Sequence, residues 1–133
     1  MLRLPLLLIS VLFIAACHKP SGIKNIISGS DSVAVSFYTG DGTIDSVTRV
    51  VILRQKEDLE KLAGYIESDQ QDPNNCGYDG ALHFFKNSVV SRQVYFRMNN
   101  VNCMHFSFMM DNKAWYTRLS PEAKQYLEQV KKR

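Results

Sequence analysis

Apolar and polar residues alternate in several stretches of the chain and follow a helical period in two others. Ser32-Val33-Ala34-Val35-Ser36-Phe37-Tyr38 places Val33, Val35 and Phe37 on one face, the period-two pattern of a half-buried strand. Gly40-Asp41-Gly42 supplies turn chemistry, and a second strand is predicted over roughly Thr43–Arg54. Over Lys56–Glu67 the period changes. Leu59, Leu62, Ala63 and Ile66 fall at i, i+3, i+4 and i+7, a single helical stripe, with Glu57 and Asp58 in the first turn where the helix dipole favours them. Ser68–Asn75 is a polar loop. Four strands are predicted next: Ala81–Lys86, Val89–Met98, Cys103–Met110 and Lys113–Arg118, separated by Asn87-Ser88, Asn99-Asn100 and Asp111-Asn112. Ser120-Pro121-Glu122 then opens a second helix with an N-cap, a first-position proline and an acidic first turn. Its stripe is Ala123, Tyr126, Leu127 and Val130.

The predicted order is ββαββββα. Strands joined by short turns, with helices segregated from them, define an α+β fold: an antiparallel sheet with two helices packed on one face. One domain over residues 31–133 accommodates all of it.

The first 16 residues follow a different pattern. Arg3 is followed by an apolar run from Leu4 to Ile14 that stops at Ala15-Ala16-Cys17. A positive start, an apolar core and small residues at the cut are the layout of a removable export signal, and the run is shorter than the roughly 20 residues of a membrane span. Ile14-Ala15-Ala16-Cys17 resembles the lipobox of bacterial lipoproteins: an aliphatic residue, two small residues and an obligatory cysteine. The resemblance implies cleavage before Cys17 by the lipoprotein signal peptidase and acylation of Cys17, which would be the chain's contact with the bilayer. It covers the leader; the remainder is similar to small exported lipoproteins of unknown function only in size, paired cysteines and α+β order. His18, rather than Asp, follows the cysteine, which by resemblance to Gram-negative sorting patterns implies the outer membrane, facing the periplasm. Residues 17–30 contain Gly, Ser and Pro and are expected to form a flexible tether.

Removal of the leader leaves 15 of the 16 Lys and Arg against 13 acidic residues, a net charge near +2, so the sequence pI of 8.8 overstates the basicity. The one basic cluster, Lys131-Lys132-Arg133, complements the negative pole of the last helix. No clustered basic face marks a nucleic-acid footprint. With Cys17 assigned to lipid, Cys76 and Cys103 remain, and a pair in an oxidising compartment is expected to form a disulfide.

The candidate binding residues are Tyr78 and Asp79 within Cys76-Gly77-Tyr78-Asp79-Gly80, then His83 and His105 in two strands, and Trp115 in the dense aromatic set. The glycine-flanked string either bares backbone N–H groups for a ligand or is a turn that holds the disulfide. His83, His105 and Asp79 would make a metal or proton-transfer site only if they converged. No nucleophile elbow, phosphate loop or HExxH string is present, and no cofactor or metal is implied. The sequence therefore points first to a membrane-anchored module without catalysis of its own, binding an envelope protein or peptide. A small enzyme or metal-binding protein using His83 and His105, and a structural envelope component, are the alternatives.

Overall fold

The computed structural model describes residues 22–43 and 46–133. The leader, Cys17 and the first residues of the expected tether lie outside them. Over these residues the fold is α+β: six antiparallel strands and three helices. The elements are α1 (Ile23–Ser28), β1 (Ser32–Tyr38), β2 (Val47–Leu53), α2 (Lys56–Ile66), β3 (Gly80–Lys86), β4 (Val89–Arg97), β5 (His105–Met110), β6 (Lys113–Arg118) and α3 (Pro121–Lys131). Across the sheet the order is β2-β1-β3-β4-β5-β6. The connection carrying α2 leaves the β2 edge and returns on the far side of β1, so the first hairpin and the following meander form one sheet.

Two expected boundaries move by more than one residue. β2 starts at Val47 rather than Thr43, although residues 44 and 45 are not described. β5 starts at His105 rather than Cys103, because residues 101–103 turn instead of pairing. A larger correction concerns the tether. Ile23–Ser28 is helical, and Ile23 and Ile27 are completely buried. Ile23, Ile26 and Ile27 have i, i+3, i+4 spacing, too short to signal a helix among Gly, Pro and Ser. Packing supplies what propensity does not, since a helix this short is marginal alone. The folded body therefore includes α1, and three helices cover the sheet where two were expected.

Strand alternation decides the faces. Val33, Val35 and Phe37 of β1 lie opposite Phe84, Leu82 and Gly80 of β3. Leu82 and Gly80 face Val94 and Phe96 of β4, and Phe96 faces Phe106 of β5. These side chains, with Phe108 and Met110, form one core with Ile23 and Ile27 of α1, Leu59, Leu62 and Ile66 of α2, and Leu127 and Val130 of α3. At about 25 cal/mol per Å² of apolar area, this layer is the main favourable term in folding. Gly80 is required beneath it, because a Cβ there would lie 2.2 Å from the Phe96 ring and 2.3 Å from Ser36 O.

The local devices match the sequence. Asn87-Ser88 and Asp111-Asn112 both adopt positive φ at two successive residues, the type I′ geometry that suits a tight hairpin. The Ser120 hydroxyl accepts from Ala123 N–H at 3.1 Å, and Pro121 follows at the first helical position. Arg133 does more than complement a helix pole. Its guanidinium donates to Asp58 at 3.0 Å, and the Tyr126 hydroxyl donates to the same carboxylate at 2.5 Å, which clamps the end of α3 to the first turn of α2. Burial works against the Asp58 charge, but the hydrogen bonds from Arg133 and Tyr126 outweigh it and hold the carboxyl below its ordinary pKa.

Candidate functional site

The face of the sheet away from the helices carries the polar chemistry. Where β3 begins, β4 ends and β5 begins, the loop before β3 folds back over this face. Cys76 and Cys103 are joined by a disulfide, tying that loop to the one before β5. Gly77 has φ +75 and packs so closely on Gly42 that a Cβ would overlap Gly42 O. Tyr78 N–H donates to the same Gly42 oxygen at 3.0 Å. The two glycine-containing loops thus dock on each other. Gly77 is spent on this close approach, which favours the structural reading of the Cys76–Gly80 string over an anion cradle.

Asp79 is buried and fully used. One carboxylate oxygen accepts from Met98 N–H at 2.7 Å and Asn99 N–H at 2.8 Å; the other accepts from Arg97 Nη1 at 2.6 Å. Arg97 is 3% exposed and donates through Nη2 to Asp41 at 2.5 Å. Burial opposes the Arg97 charge, but Asp41 and Asp79 outweigh it and raise the guanidinium further. Sequence reasoning did not single out Arg97, yet a lone cation in the apolar string Tyr95-Phe96-Arg97-Met98 was the available signal.

Next to this pair stands an aromatic cluster. The Tyr78 ring lies over Tyr95 with centroids 4.7 Å apart and meets His105 edge-on at 6.0 Å. His105 is 5.7 Å from Tyr116 on its other side. The Ser107 hydroxyl donates to the Tyr78 hydroxyl at 3.3 Å, and Gln93 Nε2 donates to the Tyr95 hydroxyl at 2.7 Å. His105 is 1% exposed, and its Nδ1 lies 3.2 Å from Cys103 O. Burial lowers its pKa, as does the Arg97 charge, against the opposing pull of the Cys103 carbonyl and Asp79. The ring is therefore biased to the neutral form.

The candidate residues divide. Tyr78, Asp79 and His105 come together. His83 does not join them: it sits opposite Gln93, whereas His105 sits opposite Arg97, with β4 between their strands. Four residues and two strand spacings separate them, about 13 Å along and about 9.5 Å across the sheet. Trp115 lies on the other face, opposite Phe108 and against the core, with Lys113 over its ring at 4.4 Å. Among the described residues no group of three or more His, Cys, Asp or Glu side chains is gathered as for a metal ion, and no helix is long and apolar enough to cross a membrane.

From this cluster a cleft runs between β4 and β5. β4 pairs with β3 from Val89 to Phe96 around one bulge, and β5 with β6 over its whole length, yet β4 and β5 pair only at Tyr95–Ser107, Phe96–Phe106 and Arg97–His105. Beyond that the strands part. β4 also bulges there, since Phe84 faces Arg92 and Phe85 faces Val90, leaving Ser91 as the extra residue. Bulges commonly re-aim a strand beside a functional site. The opening has a volume of about 450 Å³. Tyr95 and Gln93 stand on one side, Tyr116, Ala114 and Met109 on the other, and Tyr78 at the end. Arg92 Nη1 reaches across to donate to Met109 O at 2.5 Å, while its buried Nε finds no acceptor within the protein. Flat rings, hydroxyls and an amide make a surface for stacking and hydrogen bonding.

Comparison of the chain with protein-family models, curated proteins and solved structures finds no match.

Proposed function

We propose that this chain is a lipid-anchored binding module of the bacterial envelope, without catalysis of its own, which holds a peptide segment of an envelope partner in the cleft between β4 and β5. The observation that carries this reading is the parting of the two strands beside Tyr78, Tyr95 and Tyr116. A peptide supplies what such a cleft accepts: flat amides and rings to stack on tyrosine, and carbonyl oxygens and amides for the tyrosine hydroxyls and the Gln93 amide. The alternative with His83 and His105 as partners loses its basis, because the two imidazoles stand on strands separated by β4 and Asp79 is committed to Arg97 and backbone N–H groups.

Anchoring rests on the lipobox-like Ile14–Cys17, and placement at the outer membrane facing the periplasm on the residue after it. Cys17→Ser should abolish labelling by a radioactive fatty acid; unchanged labelling would remove the anchor from the proposal.

The binding test uses a photoreactive amino acid in the full chain, expressed in cells. Placed at Ala114, beside the cleft, it should capture a discrete partner. Placed at Lys61, on the helical side, it should not. Equal capture at both positions, or no capture at Ala114, would reject the cleft as the binding site.

A further inference from the structure

The two edges of the sheet differ. The second half of the β6 edge is covered: Gln71 N–H donates to Tyr116 O at 2.7 Å and Arg118 N–H to Asp69 O at 2.9 Å. β2 forms the other edge, and among the described residues no strand pairs with its outer side. Its sequence, Val47-Thr48-Arg49-Val50-Val51-Ile52-Leu53, contains no lysine or proline, and Arg49 is its one charge of the kind with which natural edges prevent pairing. Thr48 is an extra residue against the Phe37–Tyr38 step and bulges the start of the strand. Arg49–Leu53 then runs in unbroken register with Phe37–Val33. Val50 and Ile52 project from the face without helices, 52% and 45% exposed.

We infer that β2 pairs antiparallel with β2 of a second copy of this chain, about a two-fold axis through Val51, so that two six-stranded sheets become one. The sequence of the edge selects this occupant. Centring the pair on Val51 sets Val50 across from Ile52 of the second copy, and the two-fold repeats that contact. Both exposed apolar side chains then acquire an apolar cross-strand neighbour. The same register sets Arg49 against Leu53 and Arg54 against Thr48, so no two cations face each other. Centring on Val50 instead would set Ile52 against Thr48. A centre between Val50 and Val51 would oppose side chains from different faces, which the pleat forbids. The edge is thus self-complementary, as an isologous dimer interface must be.

The test is sedimentation of the full chain in detergent micelles. Two protein masses per micelle are expected, falling to one for Val50→Lys and for Ile52→Lys, with the far-ultraviolet circular dichroism of both variants unchanged. A cysteine at Val51→Cys should crosslink two chains on mild oxidation, because residue 51 meets itself, whereas Val47→Cys, which would face Gln55, should not. One protein mass for the unaltered chain would overturn the inference, as would dimers that survive both lysines. Hydrogen-exchange protection of the Val47–Leu53 amides that does not vary with protein concentration would also overturn it, by showing the edge covered from within the chain. These outcomes leave the cleft untouched, since Val47–Leu53 contributes nothing to it.

Discussion

Asp79 shows how unequally two carboxylates can serve the same arginine. It is buried and accepts from Arg97 and two backbone N–H groups, whereas the Asp41 side chain is 90% exposed. Removing one partner of a buried pair leaves the other charge uncompensated, at about 3–5 kcal/mol, while exposed pairs contribute about 0–1 kcal/mol. Asp79→Ala should therefore destabilise the fold severely and Asp41→Ala clearly less, since Asp79 also holds two backbone N–H groups, as read by urea denaturation. His105 gives a prediction in pH. Its folded pKa lies below the unfolded value of about 6.5, so the unfolded chain binds the proton more readily. The contribution is intact above pH 6.5 and is lost as pH falls through the folded pKa. His105→Gln should lose less stability than the unaltered protein between pH 7 and pH 5; equal losses would contradict the assignment. At this scale the sequence indicated that Tyr78, Asp79 and His105 were worth inspecting. It did not indicate Arg97 or Arg92, because their importance lies in which strand ends meet, a long-range property of the sheet.

Elements were legible where their signal is local. The two amphipathic stripes, the Ser120-Pro121 start and the paired turn residues depend on neighbours a few positions apart, and the structure has them as read. α1 was not legible, because its six residues are helical through contacts with α2 and the sheet rather than through their own pattern. The contact is tested by Ile27→Ala. Ile27 is completely buried, and truncation of such a side chain costs about 2–5 kcal/mol. A loss below about 1 kcal/mol by chemical denaturation would mean that α1 is an accessory. The parting of β4 from β5 was equally hidden. Both strands read as ordinary, and only their incomplete register opens the cleft.

For the whole molecule, exported-chain logic paired Cys76 with Cys103, and the structure contains that bond. It spans 27 residues, for which loop-closure entropy gives about 3–4 kcal/mol. The double variant Cys76→Ser, Cys103→Ser should lose stability of that order in guanidinium titrations, and the loop carrying Tyr78 should become sensitive to protease before the rest of the chain does. A cut elsewhere first would show that the loop is held by the Gly42 contact alone. The fold class followed from the order of elements, but strand order did not, because periodicity says nothing about where the α2 connection returns.

The burial of α1 also sets a leash. If Cys17 carries the lipid, as proposed, only six peptide units lie between it and Ile23, a reach of at most about 20 Å when fully drawn out. α1 packs on the helical side of the sheet. The domain would then ride close above the headgroups, with α1 the part held nearest to them. A partner would have to come to the domain at the membrane surface, because so short a tether could not carry the domain far from it.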